Sequence, residues 1–454
     1  MKTYSHFNCN RISSLVRSAK LKDIYALFRI TNRSNSHPFI VYNINFTFNY
    51  SNKSALAQPF VQTVKHRDLV IDLGNGIQTN AQLTIPAVGN GPFPGVLLIA
   101  GSGIRDMNES LDYILIDNQT GSKIYPPTPF FQIAEYLSER GFVVLRYDKR
   151  GIGENGTILD NNVWGNLTFN DLKQDAEKAL AVLAQQPEVD PNRITVLGHS
   201  EVTVIAPRVA IDNTTKVRNL VLMGAAAQNV YELGYNQNVD LKILYAKKVL
   251  DRNHDGLLSV SEANKDPIFG SMIGNVTELP MRHDNTTTTL TTSNETATQL
   301  EQNTKYNTTN DVSISINNEL KPILSQEYES ISVVTPGEKC AINLCPVWVQ
   351  SHRALEPTLS MIGNVSSDTS ILILNGENDT QTPLQGVFLL QQRLTEVNHP
   401  DHTLITYPNL GHAFYPSSQW LTALGPIPEY VLADLYSWLE AHSGFTSATG
   451  FVRQ

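Results

Sequence analysis

The residues of this 454-residue chain best placed by type and spacing to do chemistry stand in the run Gly198-His199-Ser200-Glu201. An apolar stretch over 194–197 reads as a strand ending at this run, and a helical pattern follows over 204–211. A serine on so sharp a strand-to-helix turn is pushed out of the sheet, where its hydroxyl is reachable. The backbone N–H of Glu201 can then point at a developing oxyanion. A serine alkoxide is not available at neutral pH, so a base and an orienting acid are needed. Of the eleven histidines, His6 and His37 lie in an N-terminal segment, His199 lies inside the turn, and His254 and His283 lie in an insertion. His412, in Gly411-His412-Ala413-Phe414, falls in the loop after the last strand-like segment. Asp379, in Gly376-Glu377-Asn378-Asp379-Thr380, also comes straight after a strand. Ser200, Asp379 and His412 thus follow in nucleophile–acid–base order, each just past a strand's carboxyl end.

A second pattern is independent of the first. Asp251-Arg252-Asn253-His254-Asp255-Gly256-Leu257-Leu258-Ser259-Val260-Ser261-Glu262 matches D-x-[DN]-x-[DN]-G-x5-E at every specified position. Side-chain oxygens of Asp251, Asn253 and Asp255 converge on one side, Gly256 permits the sharp turn, Leu257 offers its carbonyl, and Glu262 closes the far side with two oxygens. The segment resembles a single EF-hand, with 239–250 as its entering helix, and predicts bound calcium; a plain acidic turn is the alternative. Such hands normally pair, and the sequence offers no second loop. A structural ion stiffening a lid is therefore expected rather than a fast sensor.

The elements that must position these residues alternate in type. A hairpin is expected over 68–85 around Gly74-Asn75-Gly76. Strands follow at 94–100, 142–147, 194–197, 220–223, 371–374 and 403–407, with helices at 130–140, 171–186, 204–211, 384–397 and 429–442. Leu172, Ala176, Ala179, Leu180 and Leu183 make the stripe of a helix covering a sheet. The whole predicts an α/β fold with a mainly parallel sheet covered on both faces. It divides into an N-terminal targeting or disordered segment (1–60), a first core part (61–225), an inserted cap (226–365) and a second core part (366–454). Within the cap, 284–310 is polar, Asn/Thr-rich and too poor in apolar side chains to offset its ordering entropy, so it reads as a mobile loop.

Composition narrows the function classes. A net charge of -9 argues against a nucleic-acid binder. There is no unbroken apolar run of about 18 residues, as a transmembrane helix needs. Three cysteines cannot make a four-thiolate zinc site. Cys340 and Cys345 either close a small loop in an oxidising compartment or remain two thiols. Roughly fifteen N-x-S/T sequons, among them Asn49, Asn118, Asn166, Asn285, Asn294 and Asn307, favour an extracellular or cell-surface location. The basic, acid-poor N-terminus leaves cytoplasmic and organellar locations open.

At the motifs Gly101-Ser102-Gly103-Ile104-Arg105-Asp106, Tyr147-Asp148-Lys149-Arg150-Gly151, Gly198-His199-Ser200-Glu201, Gly376-Glu377-Asn378-Asp379 and Gly411-His412, the chain resembles the alpha/beta-hydrolase superfamily. More narrowly, it resembles the superfamily's short-chain esterases and serine-aminopeptidase-like hydrolases. The resemblance covers about 65–230 and 366–445, the core without the insertion. It implies Ser200 as nucleophile, His412 as general base, Asp379 as its orienting acid, and an oxyanion hole from the N–H of Glu201 with one from Ser102 or Gly103. It also implies a scaffold role for Asp148 and Arg150. No organic cofactor is implied. Two positions depart from the pattern: Ala100 precedes Gly101, and Val202 stands where a second elbow glycine belongs, which predicts a strained turn. A small carboxylic ester is the expected substrate. Three other readings are a peptide or thioester substrate, a silent hydrolase fold acting as a calcium-dependent binding module, and a calcium loop that docks a partner protein.

Overall fold

The computed structural model describes residues 63–444, apart from 111–114, 117–122, 125–127, 260–262, 264–265, 267, 270–281, 284–285, 288–312, 334–344, 419 and 421–424. The N-terminal segment to residue 60, most of 284–310, Glu262, Cys340 and the sequons at Asn49, Asn118, Asn285, Asn294 and Asn307 lie outside the described residues.

Eight strands make the main sheet: β1 (Val64–Gly74), β2 (Ile77–Pro86), β3 (Phe93–Ile99), β4 (Val143–Tyr147), β5 (Val189–His199), β6 (Val217–Met223), β7 (Ser370–Gly376) and β8 (His402–Tyr407). Their spatial order is β1-β2-β4-β3-β5-β6-β7-β8. The pairs β1–β2 and β2–β4 are antiparallel, and all pairs from β4 to β8 are parallel. The expected hairpin is present, its turn at Gly74, Asn75 and Gly76 all in the left-handed region.

Because side chains alternate across a strand, the buried strands feed two separate cores. Leu97, Leu220, Leu222, Ile371 and Ile373 pack with helices α2 (Phe169–Ala184), α3 (Val202–Asp212) and α4 (Leu384–Glu396). Val96, Leu98, Val221, Met223, Leu372 and Leu374 pack on the other face with α1 (Pro129–Ser138) and α5 (Glu429–His442). Helix α2 begins two residues before its predicted start. Thr168 accepts the Asp171 N–H while Asp171 accepts the Thr168 N–H, a capping box that satisfies donors the first turn leaves over.

Between β6 and β7 the chain leaves the sheet and builds a third, small core from Val239, Ile243, Tyr245, Leu258, Phe269, Ile314, Leu320 and Tyr328. The entering segment is a continuous run of helical turns from Val230 to Leu250, with π-type stretches at Asn236–Asp240 and Ala246–Leu250. A helix over Pro346–Arg353 leads back toward the sheet. Cys345, buried at its start, is disulfide-bonded. Among the described residues no helix is long and apolar enough to cross a membrane.

Candidate active site

Strand β5 ends at His199, and Ser200 sits alone in the left-handed region at φ +57° before α3 begins at Val202. A non-glycine residue held there costs of order 1–3 kcal/mol, which makes Ser200 the strained point of the turn. The strain expected at Val202 is not found. Val202 lies in ordinary helical backbone, buried, and its branch takes the space that Gly198 leaves: a Cβ at Gly198 would stand 2.8 Å from Val202 Cγ1. The elbow accommodates valine because the glycine lies on the strand side.

The loop after β3 comes against this turn, so close that a Cβ at Gly101 would stand 3.0 Å from Ser200 Cβ. Braces fix the loop: Arg105 donates to the carbonyls of Ser102 and Ser110, and Asp106 accepts from Ser110 N and Asn155 N. Asp148, just past β4, accepts from Met107 N at 2.7 Å. Burial raises its carboxyl to about 6, against the pull of that hydrogen bond. Arg150 turns elsewhere, to a buried ion pair with Asp175. Both residues therefore touch scaffold groups.

Asp379 and His412 meet, as their positions past β7 and β8 predict. Asp379 Oδ2 lies 2.8 Å from His412 Nδ1. Thr382, not singled out from sequence, donates its hydroxyl to the same carboxylate oxygen at 2.6 Å, while the N–H groups of Gln381 and Thr382 satisfy Oδ1. Burial would raise the Asp379 carboxyl, but His412 and these donors together hold it below the usual carboxylate range. His412 Nε2 is buried without a hydrogen-bond partner, and His412 and Ser200 line the same cleft. No hydrogen bond joins Ser200 to His412 among the described residues, a looseness usual before substrate is bound.

Two pockets meet at Ser102 and Ser200. One, about 760 Å³ of empty space with the solvent outside its mouth included, is walled by Phe130, Ile133, Phe414, Tyr415 and Ile427. The other, about 710 Å³, belongs largely to the insertion through Tyr231, Gln237, Tyr328, Trp348 and His352. The insertion thus covers the carboxyl end of the sheet, where ligands of parallel sheets bind. Glu201 brings its N–H to the head of α3, where first-turn donors have no intrahelical partner. Ser102 lies across the turn in both pockets, and Gly103, at φ +87°, continues that loop.

The Glu201 side chain has a setting that its own sequence neighbourhood does not reveal. It is buried, with Lys149 Nζ 2.8 Å from Oε2 and the Trp348 indole donating to Oε1 at 2.5 Å. His352 Nε2 stands 3.0 Å from Oε1, off hydrogen-bond alignment. Burial opposes ionisation, but Lys149 and His352 outweigh it, and the carboxyl stays far below its ordinary range. The sequence signal was Lys149 in the run after β4, unreadable until the strand order brings β4 to within one strand of β5.

In the second pattern, Asp251 accepts from the N–H groups of Asp255 and Gly256, Asn253 donates to Asp255 Oδ2 at 2.8 Å, and Gly256 takes φ +78°. The described contacts are those of a tight turn: the side-chain oxygens of Asp251, Asn253 and Asp255 accept backbone N–H groups of Asp255, Gly256 and Leu257. Leu258 is buried in the small core. The ligand set is not closed among the described residues, since Glu262 lies outside them, and no cluster of three acidic, histidine or cysteine side chains forms there. The loop nevertheless has a backbone partner, although not a second acidic loop. Leu257–Ser259 pairs antiparallel with Ser313–Ser315, Leu258 opposite Ile314, and Ile316 N donates to Gly256 O at 3.0 Å.

An eight-stranded sheet with β1 and β2 antiparallel and β4 crossing before β3, a serine elbow after β5, and a histidine after β8 define the architecture. The fold is that of the alpha/beta hydrolases. Residues 128–320 match the family described as serine aminopeptidase, S33. Esterase EstD of Thermotoga maritima is 30% identical over 177 residues, 39% of this chain. The chain spans about a third of that relative's length, 36%. Among solved structures, a thermostable carboxyl esterase from Bacillus coagulans has 14% identity and a TM-score of 0.46, covering 83% of this chain and 99% of its own. A thermophilic esterase from Thermogutta terrifontis has 14% identity and a TM-score of 0.42, covering 83% and 99%.

Proposed function

We propose that this chain is a serine hydrolase of small carboxylic esters. The observation that carries the reading is the Asp379–His412 contact at 2.8 Å, with the partnerless Nε2 of His412 in the cleft that Ser200 lines. Ser200 Oγ attacks the acyl carbon as His412 Nε2 takes its proton, and Asp379 holds the ring and stabilises the imidazolium. The N–H groups of Glu201 and of Ser102 or Gly103 receive the oxyanion. His412 then protonates the leaving alcohol, and water activated by the same nitrogen releases the acid.

Aminopeptidase action is the second reading, favoured by the family match over 128–320. It needs a carboxylate free to hold the substrate amine. In the two pockets the described carboxylates are Glu109 and Glu201, and His199 and Lys149 already pair them. An ester therefore fits better than a free-amine peptide.

Hydrolysis of p-nitrophenyl esters from acetate to dodecanoate, beside Ser200→Ala, tests the proposal. Turnover lost in the variant supports the triad, and the chain-length profile sizes the acyl pocket. No turnover above Ser200→Ala for any ester, with release of an N-terminal residue from peptides, would transfer the same triad to the second reading.

Calcium binding in the cap is part of the proposal. Asp251, Asn253, Asp255, the Leu257 carbonyl and Glu262 would hold the ion, which would supply rigidity to the insertion rather than chemistry to the ester. Calcium titration followed by thermal melting should raise Tm in the native chain and not in Asp255→Ala; equal melting with calcium and with chelator counts against it. An oxidising location is favoured by the Cys345 disulfide and by the exposed sequon at Asn166.

A further inference from the structure

A second histidine–carboxylate pair lies beside the first. His199 Nδ1 is 2.8 Å from Glu109 Oε1, and His199 Nε2 is 3.0 Å from the backbone carbonyl oxygen of His412. A carbonyl oxygen only accepts. Glu109 Oε1 also receives the Gly101 N–H at 2.7 Å, so it too is accepting. With acceptors on both sides, the ring satisfies them only by carrying a proton on each nitrogen. Glu109 itself sits in the left-handed region at φ +54°, a conformation a glutamate holds only when its surroundings over-determine it. The two histidine rings lie 4.6 Å apart.

We propose that His199, as a buried imidazolium paired with Glu109, is a positioning residue that ties the oxyanion loop and the His412 loop to the residue before the nucleophile. The charged and titratable groups that face it are Glu109 from the loop after β3, Asp379 from the loop after β7, and the His412 ring from the loop after β8; Arg105 faces Glu109 from behind. Burial would strip the ring's proton, but the Glu109 charge outweighs burial and raises the His199 pKa. Burial opposes the Glu109 charge too, and His199 with the Gly101 N–H overcomes it. One chain of charge-assisted links thus spans Gly101, Glu109, His199 and His412. Such bonds are about twice as strong as neutral ones. Loss of the Nε2 proton would set a lone pair against the His412 carbonyl, loosening the base loop without touching the base. The catalytic part rests on the triad reading above.

The test uses the full chain with 15N-labelled histidine, the His199 ring signals being identified by their loss in His199→Gln. Both ring nitrogens should carry protons at neutral pH in the native chain. In Glu109→Gln, whose amide oxygen still accepts from Gly101, the ring should become neutral there and the His412 ring signals should move. For ester hydrolysis, Glu109→Gln should lower kcat about ten- to a hundredfold with KM little changed, as expected when a positioning contact is felt mainly in the transition state. The fall in kcat on the alkaline side should also begin at lower pH. A merely structural role would lower Tm and leave the pH profile in place. A neutral His199 ring in the native chain, or unmoved His412 signals in Glu109→Gln, overturns the proposal. The ring signals decide it even for a chain that hydrolyses no ester.

Discussion

Two histidine rings lie 4.6 Å apart, tilted by 41°, each with Nδ1 2.8 Å from a buried carboxylate oxygen, and they part company in what Nε2 meets. In His412 it meets the cleft; in His199 it meets a carbonyl. The same pairing chemistry therefore gives a group able to move a proton in one place and a fixed strut in the other. A histidine–carboxylate contact alone does not identify a base. The proposed base role rests on the nitrogen that His412 leaves free.

The largest expected effect comes from removing the moving partner. His412→Ala should cut ester turnover by roughly a million-fold, as loss of a triad base does elsewhere, and steady-state assays at saturating ester will read it. Asp379→Asn should cost about ten-thousand-fold by leaving the wrong tautomer. If Glu109→Gln costs as much as Asp379→Asn, the distinction between the two pairs collapses.

Stability against acid separates the pairs less. Glu109, Glu201 and Asp379 all have carboxyls held below ordinary values of 4.5, 4.5 and 3.8. A depressed folded value contributes stability that is complete above the ordinary value and is lost as pH falls through the depressed one. Melting curves should therefore be flat in this contribution above about pH 5 and fall steeply below pH 4. Glu201→Gln should flatten that fall, and an unchanged slope would deny the Lys149 link its weight.

Smaller still is Val202→Gly, which restores the glycine of the familiar elbow. Val202 fills the space at Gly198, so the change should lower stability by about 2–3 kcal/mol from the lost packing and the helix glycine. It should bring no gain in turnover. A large gain would mean that valine, and not Ser200, stores the strain of the turn.

How far these features are legible in the sequence depends on the range of the contact. Ser200, Asp379 and His412 each follow an apolar run that marks a strand end, and a parallel sheet gathers strand ends at one edge, so local patterns suffice. Glu109 and His199 are 90 residues apart and Lys149 and Glu201 are 52 apart. Their meeting depends on the crossing of β3 and β4 in the sheet order, which no window of sequence contains. The helix stripes were legible because burial repeats every turn, whereas the Thr168 cap moved α2 back by two residues. The strand that pairs with Leu257–Ser259 is not legible because Ser313–Ser315 is three residues long and follows a polar, Asn/Thr-rich stretch.

The helix over Pro346–Arg353 carries a consequence for how such a protein can change. Its Trp348 donates to Glu201, its Ser351 accepts from Phe169 N at the head of α2, and Cys345 staples its start. The roof over the cleft is therefore bolted to Glu201, the residue after Ser200. Swinging it open would leave a buried carboxylate short of a donor, at a cost of about 1–3 kcal/mol. An exchange of this roof for another, as a route to new substrates in evolution or in the laboratory, has to rewrite position 201 and its lysine in the same step.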